Sequence, residues 1–129
     1  MKISKILVVD DDPKLSSLIA LILRRAGGYE VREENRSFAA LATAREYGPD
    51  LVLLDVDMPG KDGGAVAHEL AADSALSSVP VIFITSLIAP GEAGMRNGAV
   101  YLAKPVEPKR LIETVQRLCP KFRPEMQAA

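Results

Sequence analysis

The sequence predicts an α/β domain in which helices cover both faces of a doubly wound, five-stranded parallel sheet. Short runs rich in Val, Ile and Leu alternate along the chain with longer segments whose apolar residues recur at helical spacing. The three strongest runs lack alternating polar residues, as expected of parallel strands that are buried on both faces. A chain of 129 residues suffices for one domain with a substantial core and leaves too little for a second folded module.

The first half of the chain supplies three strands and the helices between them. Strands are predicted at residues 6–9, around 29–32 and at 51–54. The first helix is predicted from apolar residues at helical spacing, which are Leu15, Leu18, Ile19 and Ile22. Asp12 and Pro13 have the character of an N-cap and a first helical residue, while Gly27 and Gly28 are typical of a helix end. The first β/α unit is therefore bounded on both sides by its own sequence.

The second half continues the same alternation. Strands are predicted at residues 81–84 and 101–103. The last helix is predicted to begin at Pro108, and its apolar face consists of Leu111, Ile112, Val115 and Leu118. Between the fourth and fifth strands, Pro90, Gly91 and Gly94 oppose helix formation. The fourth helix is therefore predicted to be short or irregular.

Composition limits the classes of protein to which the chain can belong. It has 16 Lys and Arg against 17 Asp and Glu, for a net charge of -1, and no basic block, so direct nucleic-acid binding is not expected. The lone Cys119 excludes an internal disulfide, and the apolar run at residues 6–9 is too short for a signal peptide or a membrane span. We therefore expect a cytoplasmic protein without membrane association. Its domain is predicted to span residues 1–118, followed by a short tail at 119–129 and no output domain.

Polar residues stand at the carboxyl ends of the predicted strands, the edge where doubly wound sheets bind ligands. Asp10 and Asp11 follow the first strand, and Asp55 ends the third. Thr85 ends the fourth strand and Lys104 follows the fifth. Each residue alone could be a helix cap or a solvated strand end. Together they predict a functional site, because charged groups that cluster at one edge need a shared partner.

Three carboxylates beside one ammonium and one hydroxyl group indicate phosphoryl chemistry with a metal ion. Close carboxylates repel one another unless their pKa values rise or a cation lies among them. Oxygen ligands favour Mg²⁺, which proteins hold with one or two carboxylates and a substrate phosphate. No Cys lies at this edge, and the only histidine, His68, falls in a predicted helix, so zinc and iron lack ligands. Asp55 would attack phosphorus, while Lys104 neutralises the phosphoryl oxygens and Thr85 donates a hydrogen bond.

Four motifs carry a resemblance to a known family. In chain order they are "ILVVDDDP", "LDVDMPGKDGG", "FITS" and "YLAKP". With these motifs the chain resembles the receiver domain of two-component response regulators, from residue 6 to about residue 118. The resemblance implies a flavodoxin-like fold with strand order 2-1-3-4-5.

The resemblance also implies a metal site. Asp10 and Asp11 correspond to the family's acidic pair, in which Asp11 binds Mg²⁺ directly and Asp10 acts mainly through water. Asp55 corresponds to the phosphoacceptor and is itself a ligand, and Asp57 contributes its backbone carbonyl. Asp12 matches a third position that is commonly acidic, and we interpret it as a helix cap.

Further residues are assigned by the same resemblance. Lys104 corresponds to the phosphate-binding lysine, and its bond to Pro105 is usually cis in this family. Thr85 and Tyr101 correspond to the switch pair. Two departures stand out: the segment 85–104 is a few residues shorter than usual, and Leu87 occupies a position where many relatives carry a polar residue.

The activity implied by the resemblance is that of a phosphorelay component. A histidine kinase or a histidine phosphotransfer protein would donate a phosphoryl group to Asp55 in a Mg²⁺-dependent step. Phosphorylation would switch the face formed by the fourth helix, fifth strand and fifth helix, which an unidentified downstream protein would contact. Such a receiver catalyses its own phosphorylation and slow dephosphorylation and is not a multiple-turnover enzyme. It would be a monomer or a phosphorylation-dependent homodimer.

Three other functions are compatible with parts of the sequence. "DVDMPG" also resembles the DxD motif of haloacid-dehalogenase-type phosphatases, but in that family the motif ends the first strand. A flavodoxin-like FMN binder is disfavoured because the first loop is acidic where phosphate needs N–H and hydroxyl groups. A receiver-like scaffold that is never phosphorylated would be expected to have lost one of the five polar groups, and none is missing.

Overall fold

The computed structural model describes residues 3–87, 93–96 and 99–119 and shows one sheet with helices on both faces. The elements are β1 (Ser4–Val9), α1 (Pro13–Ala26), β2 (Tyr29–Glu34), α2 (Ala40–Tyr47), β3 (Leu51–Asp55), α3 (Gly63–Ala72), β4 (Val81–Thr85), β5 (Ala93–Arg96), β6 (Ala99–Ala103) and α4 (Pro108–Leu118). A 3-10 turn at Ser37–Ala39 precedes α2. The five parallel strands lie in the order β2-β1-β3-β4-β6, which confirms the predicted fold and strand order.

The central strands are buried on both faces, as their lack of polar alternation predicted. Ile6 and Val8 of β1 pack in a cluster with residues of α1 and α4. Leu7 and Val9, which point to the opposite face, pack in a second cluster with residues of α2 and α3. Burying one such side chain is worth roughly 1.5–3 kcal/mol relative to leaving it in water. The two clusters therefore hold the sheet rigid between two helical layers.

Local signals set the ends of α1 as predicted. Asp12 Oδ1 accepts a hydrogen bond from the Lys14 amide at 3.0 Å, and Pro13 is the first helical residue. The helix ends at Gly27, whose φ of 80° is a conformation that residues with a Cβ rarely adopt. The apolar face is narrower than predicted, because the side chain of Leu18 is 46% exposed.

The segment between β4 and β6 differs from the prediction of a short or irregular fourth helix. Its described residues, 93–96, form β5, which pairs antiparallel with β6 at the edge of the sheet. Arg96 is paired with Ala99, and the two residues between them in sequence, Asn97 and Gly98, form the dipeptide most favoured in two-residue hairpin loops. That local preference, together with the low helix propensity of Gly94, favours a hairpin over a helix.

The last predicted helix is α4, and it begins at Pro108 as expected. Cys119, at its C-terminal end, is buried against the core, where it serves as a small apolar packing residue. Of the predicted tail at 119–129, Cys119 is described, and residues 120–129 lie outside the part of the chain that the structure describes. Among the helices that the structure describes, none has the length and apolar character needed to cross a membrane.

Candidate functional site

The topology places the predicted polar residues on neighbouring strands at one edge of the sheet. β3 lies between β1 and β4, and β6 lies beside β4. In register, Val9 is paired with Leu54, Asp55 with Ile84, and Thr85 with Ala103. Asp10 and Lys104 directly follow two of these strands. The carboxyl ends of four strands therefore bring the predicted residues to a common site.

An acidic cluster forms the floor of this site. Asp10, Asp11 and Asp55 each offer one carboxylate oxygen, and these oxygens all lie within 4.8 Å of one another. Asp10 and Asp55 are buried, at 1% and 2% exposure, whereas Asp11 is exposed. Repulsion in such a cluster is large unless protons or a cation compensate it. Solvent can therefore reach the cluster at Asp11, whereas Asp10 is shielded from solvent.

The environment of Asp10 shows whether the cluster suits a cation. Its Oδ2 atom is buried and has no hydrogen-bond partner among the described residues. Burial, with a further contribution from the charge of Asp55, raises the pKa of Asp10 to about 7. The other oxygen, Oδ1, accepts the amide of Asp12 at 2.9 Å. A buried carboxylate oxygen without a hydrogen-bond donor among the described residues, in a set of oxygen ligands only, fits a hard cation such as Mg²⁺.

Lys104 compensates part of the negative charge. Its Nζ lies 2.9 Å from Oδ1 of Asp55 and 3.8 Å from Oδ2 of Asp57. Burial lowers the pKa of Lys104, but the hydrogen bond and charge of Asp55, with smaller contributions from Asp10 and Asp57, outweigh burial and raise it. The ammonium group is therefore charged at neutral pH. It is held against the carboxylate that was predicted to carry the phosphoryl group.

The loop after β3 is pressed closely against Asp55. The Asp57 amide donates to Asp55 Oδ1 at 3.0 Å, and Gly63 N donates to Val56 O at 3.2 Å. A Cβ on Gly63 would lie 2.5 Å from the backbone oxygen of Asp55, so any other residue would displace the loop. Gly63 is not among the site residues predicted from the sequence, although glycine is typical of positions where the backbone approaches another group closely.

Asp57 links the loops that follow β3 and β4. Its Oδ2 atom accepts hydrogen bonds from the hydroxyl and amide of Ser86, at 3.1 and 3.4 Å. Lys104 approaches the same oxygen. Ser86 was not among the predicted site residues, because its position in the sequence only shows that it follows Thr85.

Thr85 and Tyr101 lie on the same face of the sheet. Thr85 is 2% exposed, its Oγ1 accepts the Leu87 amide at 3.0 Å, and its carbonyl accepts the Lys104 amide at 2.8 Å. Tyr101 stacks on Phe83, with ring centroids 5.2 Å apart. Because Phe83 is two residues before Thr85, alternation along β4 puts both on the face that carries Tyr101. The stack on Phe83 was not predicted.

Three further predictions concern Pro105, His68 and Asp12. The Lys104–Pro105 peptide bond is cis, as the resemblance implied. His68 is an exposed residue of α3, which agrees with the prediction that it falls in a helix. Asp12 is the N-cap of α1.

Comparison with known proteins assigns the chain to a family. A family model described as the response regulator receiver domain matches residues 6–116. The chain belongs to this family. The DNA-binding response regulator MtrA of Mycolicibacterium smegmatis is 38% identical over 115 residues, which cover 87% of this receiver and 49% of that protein. Protein PilH of Pseudomonas aeruginosa is 35% identical over 115 residues, 87% of this receiver and 94% of PilH.

Solved structures agree with this assignment. The chemotaxis protein CheY4 of Vibrio cholerae superposes with a TM-score of 0.79 at 27% identity, over 90% of this receiver and 98% of that chain. The receiver spans about half the length of the MtrA proteins it matches. It is thus a response regulator receiver domain of two-component signalling, which is a family of signalling proteins. Membership of this family also separates it from the dehalogenase-type phosphatases and FMN binders considered above.

Proposed function

We propose that this receiver accepts a phosphoryl group on Asp55 in a Mg²⁺-dependent reaction and so switches a protein-binding surface. The observation that carries the proposal is the setting of Asp55: a buried carboxylate that contacts Lys104 at 2.9 Å and belongs to a cluster with Asp10 and Asp11. In the reaction, an oxygen of Asp55 bonds to phosphorus while the phosphorus–nitrogen bond of a phosphohistidine breaks. The electron pair of that bond goes to the departing imidazole.

The residues of the site have distinct parts in this reaction. Asp10, Asp11 and Asp55 would hold the metal ion through carboxylate oxygens, and Asp57 through its backbone carbonyl. Bound Mg²⁺ would neutralise charge on the phosphoryl oxygens. Lys104 supplies a second positive charge, because an ammonium group suits phosphate as a point charge. The buried position of Asp55 excludes bulk water from the acyl phosphate.

The surface change would begin at Thr85. In the described structure the Thr85 hydroxyl oxygen accepts the Leu87 amide, and its own proton is available for a phosphoryl oxygen on Asp55. Movement of this hydroxyl toward the phosphate would loosen the bond to Leu87 and affect the adjoining Phe83–Tyr101 stack. The switched surface would then comprise β6, α4 and the segment between β4 and β6, because no described helix stands in that segment.

The partners follow from the same chemistry. The donor would be a histidine kinase or a histidine phosphotransfer protein, and the recipient of the signal a downstream protein whose identity the site does not specify. The folded receiver would comprise residues 1–118 with a short tail, as a monomer or as a homodimer that forms on phosphorylation. It would act in the cytoplasm, catalysing its own phosphorylation and slow dephosphorylation.

Labelling with acetyl phosphate tests the proposal directly. In the presence of Mg²⁺, intact mass should rise by one phosphoryl group, and peptide mapping should place it on Asp55. Asp55→Asn should abolish labelling, because an amide is not a nucleophile for phosphorus. Asp57→Asn, which keeps the backbone carbonyl, serves as the matched control and should still be labelled. Labelling that persists in Asp55→Asn would overturn the assignment.

A further inference from the structure

A chain of partly buried hydrogen bonds joins the end of β2 to the loop that carries Asp10 and Asp11. The side-chain amide of Asn35 donates to the backbone oxygen of Asp10 at 2.7 Å and to Ser16 Oγ at 2.9 Å. Ser16 in turn donates to Glu33 Oε1 at 2.8 Å, and the hydroxyl of Ser17 reaches the same oxygen at 3.1 Å. Three elements, β1, α1 and β2, are thereby tied together behind the acidic cluster.

The orientation of Asn35 is fixed by what surrounds it. The backbone oxygen of Asp10 can only accept a hydrogen bond, so the nitrogen of the amide must face it. The two hydrogens of that nitrogen are both used, one for Asp10 and one for Ser16. Ser16 is fully buried, and its bond to the Glu33 carboxylate is charge-assisted, which makes it stronger than a bond between neutral groups.

The hydrogen bond from Asn35 to the backbone of Asp10 constrains the part of the loop that carries the acidic side chains. Asp10 Oδ1 accepts the Asp12 amide at 2.9 Å, and Asp12 Oδ1 accepts the Lys14 amide at 3.0 Å. The backbone from Asp10 to Lys14 is therefore a series of local turns whose first carbonyl is held from outside, by Asn35. Asp11, the exposed member of the cluster, lies inside this series and has no buried packing of its own to fix it.

We propose that Asn35 is a positioning residue, which holds the β1–α1 loop so that the carboxylates of Asp10 and Asp11 converge on one cation. Ser16 and Glu33 support it by fixing the amide in place. This role rests on the proposed Mg²⁺-dependent function. Neither Asn35 nor Ser16 touches the reacting atoms, and both act through the backbone of Asp10. Groups behind a metal site commonly change metal affinity about 10-fold or more when they are removed.

The test compares three variants of the full chain, each of which removes one side-chain hydrogen-bonding group. Asn35→Leu keeps the branched shape and the number of heavy atoms of the side chain and removes both donors. Ser16→Ala keeps the bond from Asn35 to Asp10 and removes the second anchor. Thr43→Val is the matched control: Thr43 Oγ1 donates to Glu34 Oε1 at 2.6 Å, also at the end of β2, but this bond does not reach the Asp10 loop.

The first measurement is the Kd for Mg²⁺ alone, from backbone amide chemical shifts during a titration. We expect Asn35→Leu to raise the Kd by about three- to tenfold, Ser16→Ala to raise it less, and Thr43→Val to leave it unchanged. If Asn35→Leu binds Mg²⁺ as tightly as the wild type, the positioning role is wrong. Should Asn35→Leu fail to fold, Ser16→Ala decides: an unchanged Kd in that variant would equally overturn the role.

The second measurement separates this inference from the proposed function. In metal-free protein, the amides of Asp11, Asp12 and Lys14 should exchange with solvent faster in Asn35→Leu than in the wild type, and not faster in Thr43→Val. Exchange rates that match the wild type would show that Asn35 does not hold the loop. If instead amide exchange in the loop is faster in Asn35→Leu, as expected, but the wild type binds no Mg²⁺, then Asn35 does hold the loop. In that case it is the proposed metal-dependent function that is wrong.

Discussion

Leu87 places an apolar side chain directly beyond the hydroxyl that would contact the phosphoryl group. Its side chain is 77% exposed, while its amide donates to Thr85 Oγ1. Hydrolysis of an acyl phosphate needs a water molecule held in line with phosphorus, and Leu87 cannot hydrogen-bond such a water. The aspartyl phosphate should therefore be long-lived.

Replacing Leu87 with Glu should shorten that lifetime. A carboxylate at this position can orient water, so we expect phosphorylated Leu87→Glu to decay more than about twofold faster than the wild type, which corresponds to over ~0.4 kcal/mol of barrier. Decay is followed in Mg²⁺ after the phosphodonor is removed. Leu87→Ala, which removes bulk without adding a polar group, and Leu87→Lys are the comparisons. Decay rates within about twofold for both polar variants would show that Leu87 does not control the attacking water.

Asp10 should make the stability of the metal-free receiver depend on pH. Its pKa is raised from 3.8 to about 7 by burial and by Asp55, so the folded state binds a proton more tightly than the unfolded state. Stability from this group is complete below pH 4 and is lost as pH rises toward 7. Asp10→Asn removes that loss, and its stability relative to the wild type should rise by on the order of 2–4 kcal/mol between pH 4 and pH 8.

Urea unfolding at several pH values, with a chelator present, measures this difference. Other carboxylates also make stability depend on pH. Burial raises the pKa of Glu34, but hydrogen bonds from Arg36 and Thr43 outweigh burial and lower it. Because Glu34 is present in both proteins, its contribution to the difference in stability cancels. A difference between Asp10→Asn and the wild type that stays constant with pH would contradict the raised pKa of Asp10.

Whether a residue of the site could be predicted from the sequence depended on its position relative to the strands. Asp10, Asp55, Thr85 and Lys104 could be found because each directly follows or ends an apolar run, and parallel strands bring such positions together. Asn35 could not be predicted, because its proposed role depends on a hydrogen bond between its side-chain amide and a backbone carbonyl 25 residues away in the sequence. No periodicity or local motif encodes a contact of that kind.

At the scale of elements, β5 is the main departure from the predicted fold. The five parallel strands and the helices α1 and α4 could be predicted because their apolar residues repeat at one period over a whole element. A four-residue strand containing Gly94 has no such repeat, and the Pro and Gly residues before it only argue against a helix. The one informative signal was Asn97-Gly98, which favours a hairpin through its backbone preferences.

A hairpin in place of a helix should concentrate the response to phosphorylation. β5 pairs with the sheet along one side only, and an edge strand opens at lower cost than a helix packed on the core. Beryllofluoride, as a stable phosphoryl substitute, should therefore change hydrogen exchange mainly in residues 85–104, measured by mass spectrometry. Exchange in residues 51–54 of the buried β3 serves as the internal control. Equal protection of residues 85–104 in both states would argue against a switch through Thr85 and Tyr101.

At the scale of the whole molecule, the acidic cluster couples metal binding to folding. Asp10, Asp11 and Asp55 converge only in the folded chain, so a cation that binds them stabilises the native state by mass action. At a Mg²⁺ concentration of 100 Kd this amounts to about 2.7 kcal/mol, or a rise in melting temperature of roughly 10 °C for a domain of this size.

Asp11→Ala separates this linkage from a general effect of salt. Asp11 is exposed, so its loss costs little packing, and the metal-free variant should be at least as stable as the wild type because one repelling charge is gone. Its melting temperature should rise by less than half as much as that of the wild type at the same Mg²⁺ concentration. Glu113→Ala is the charge control, because Glu113 is exposed on α4. This variant should respond to Mg²⁺ like the wild type. Equal shifts in all three proteins would mean that Mg²⁺ stabilises the fold from somewhere other than the cluster at the ends of β1 and β3.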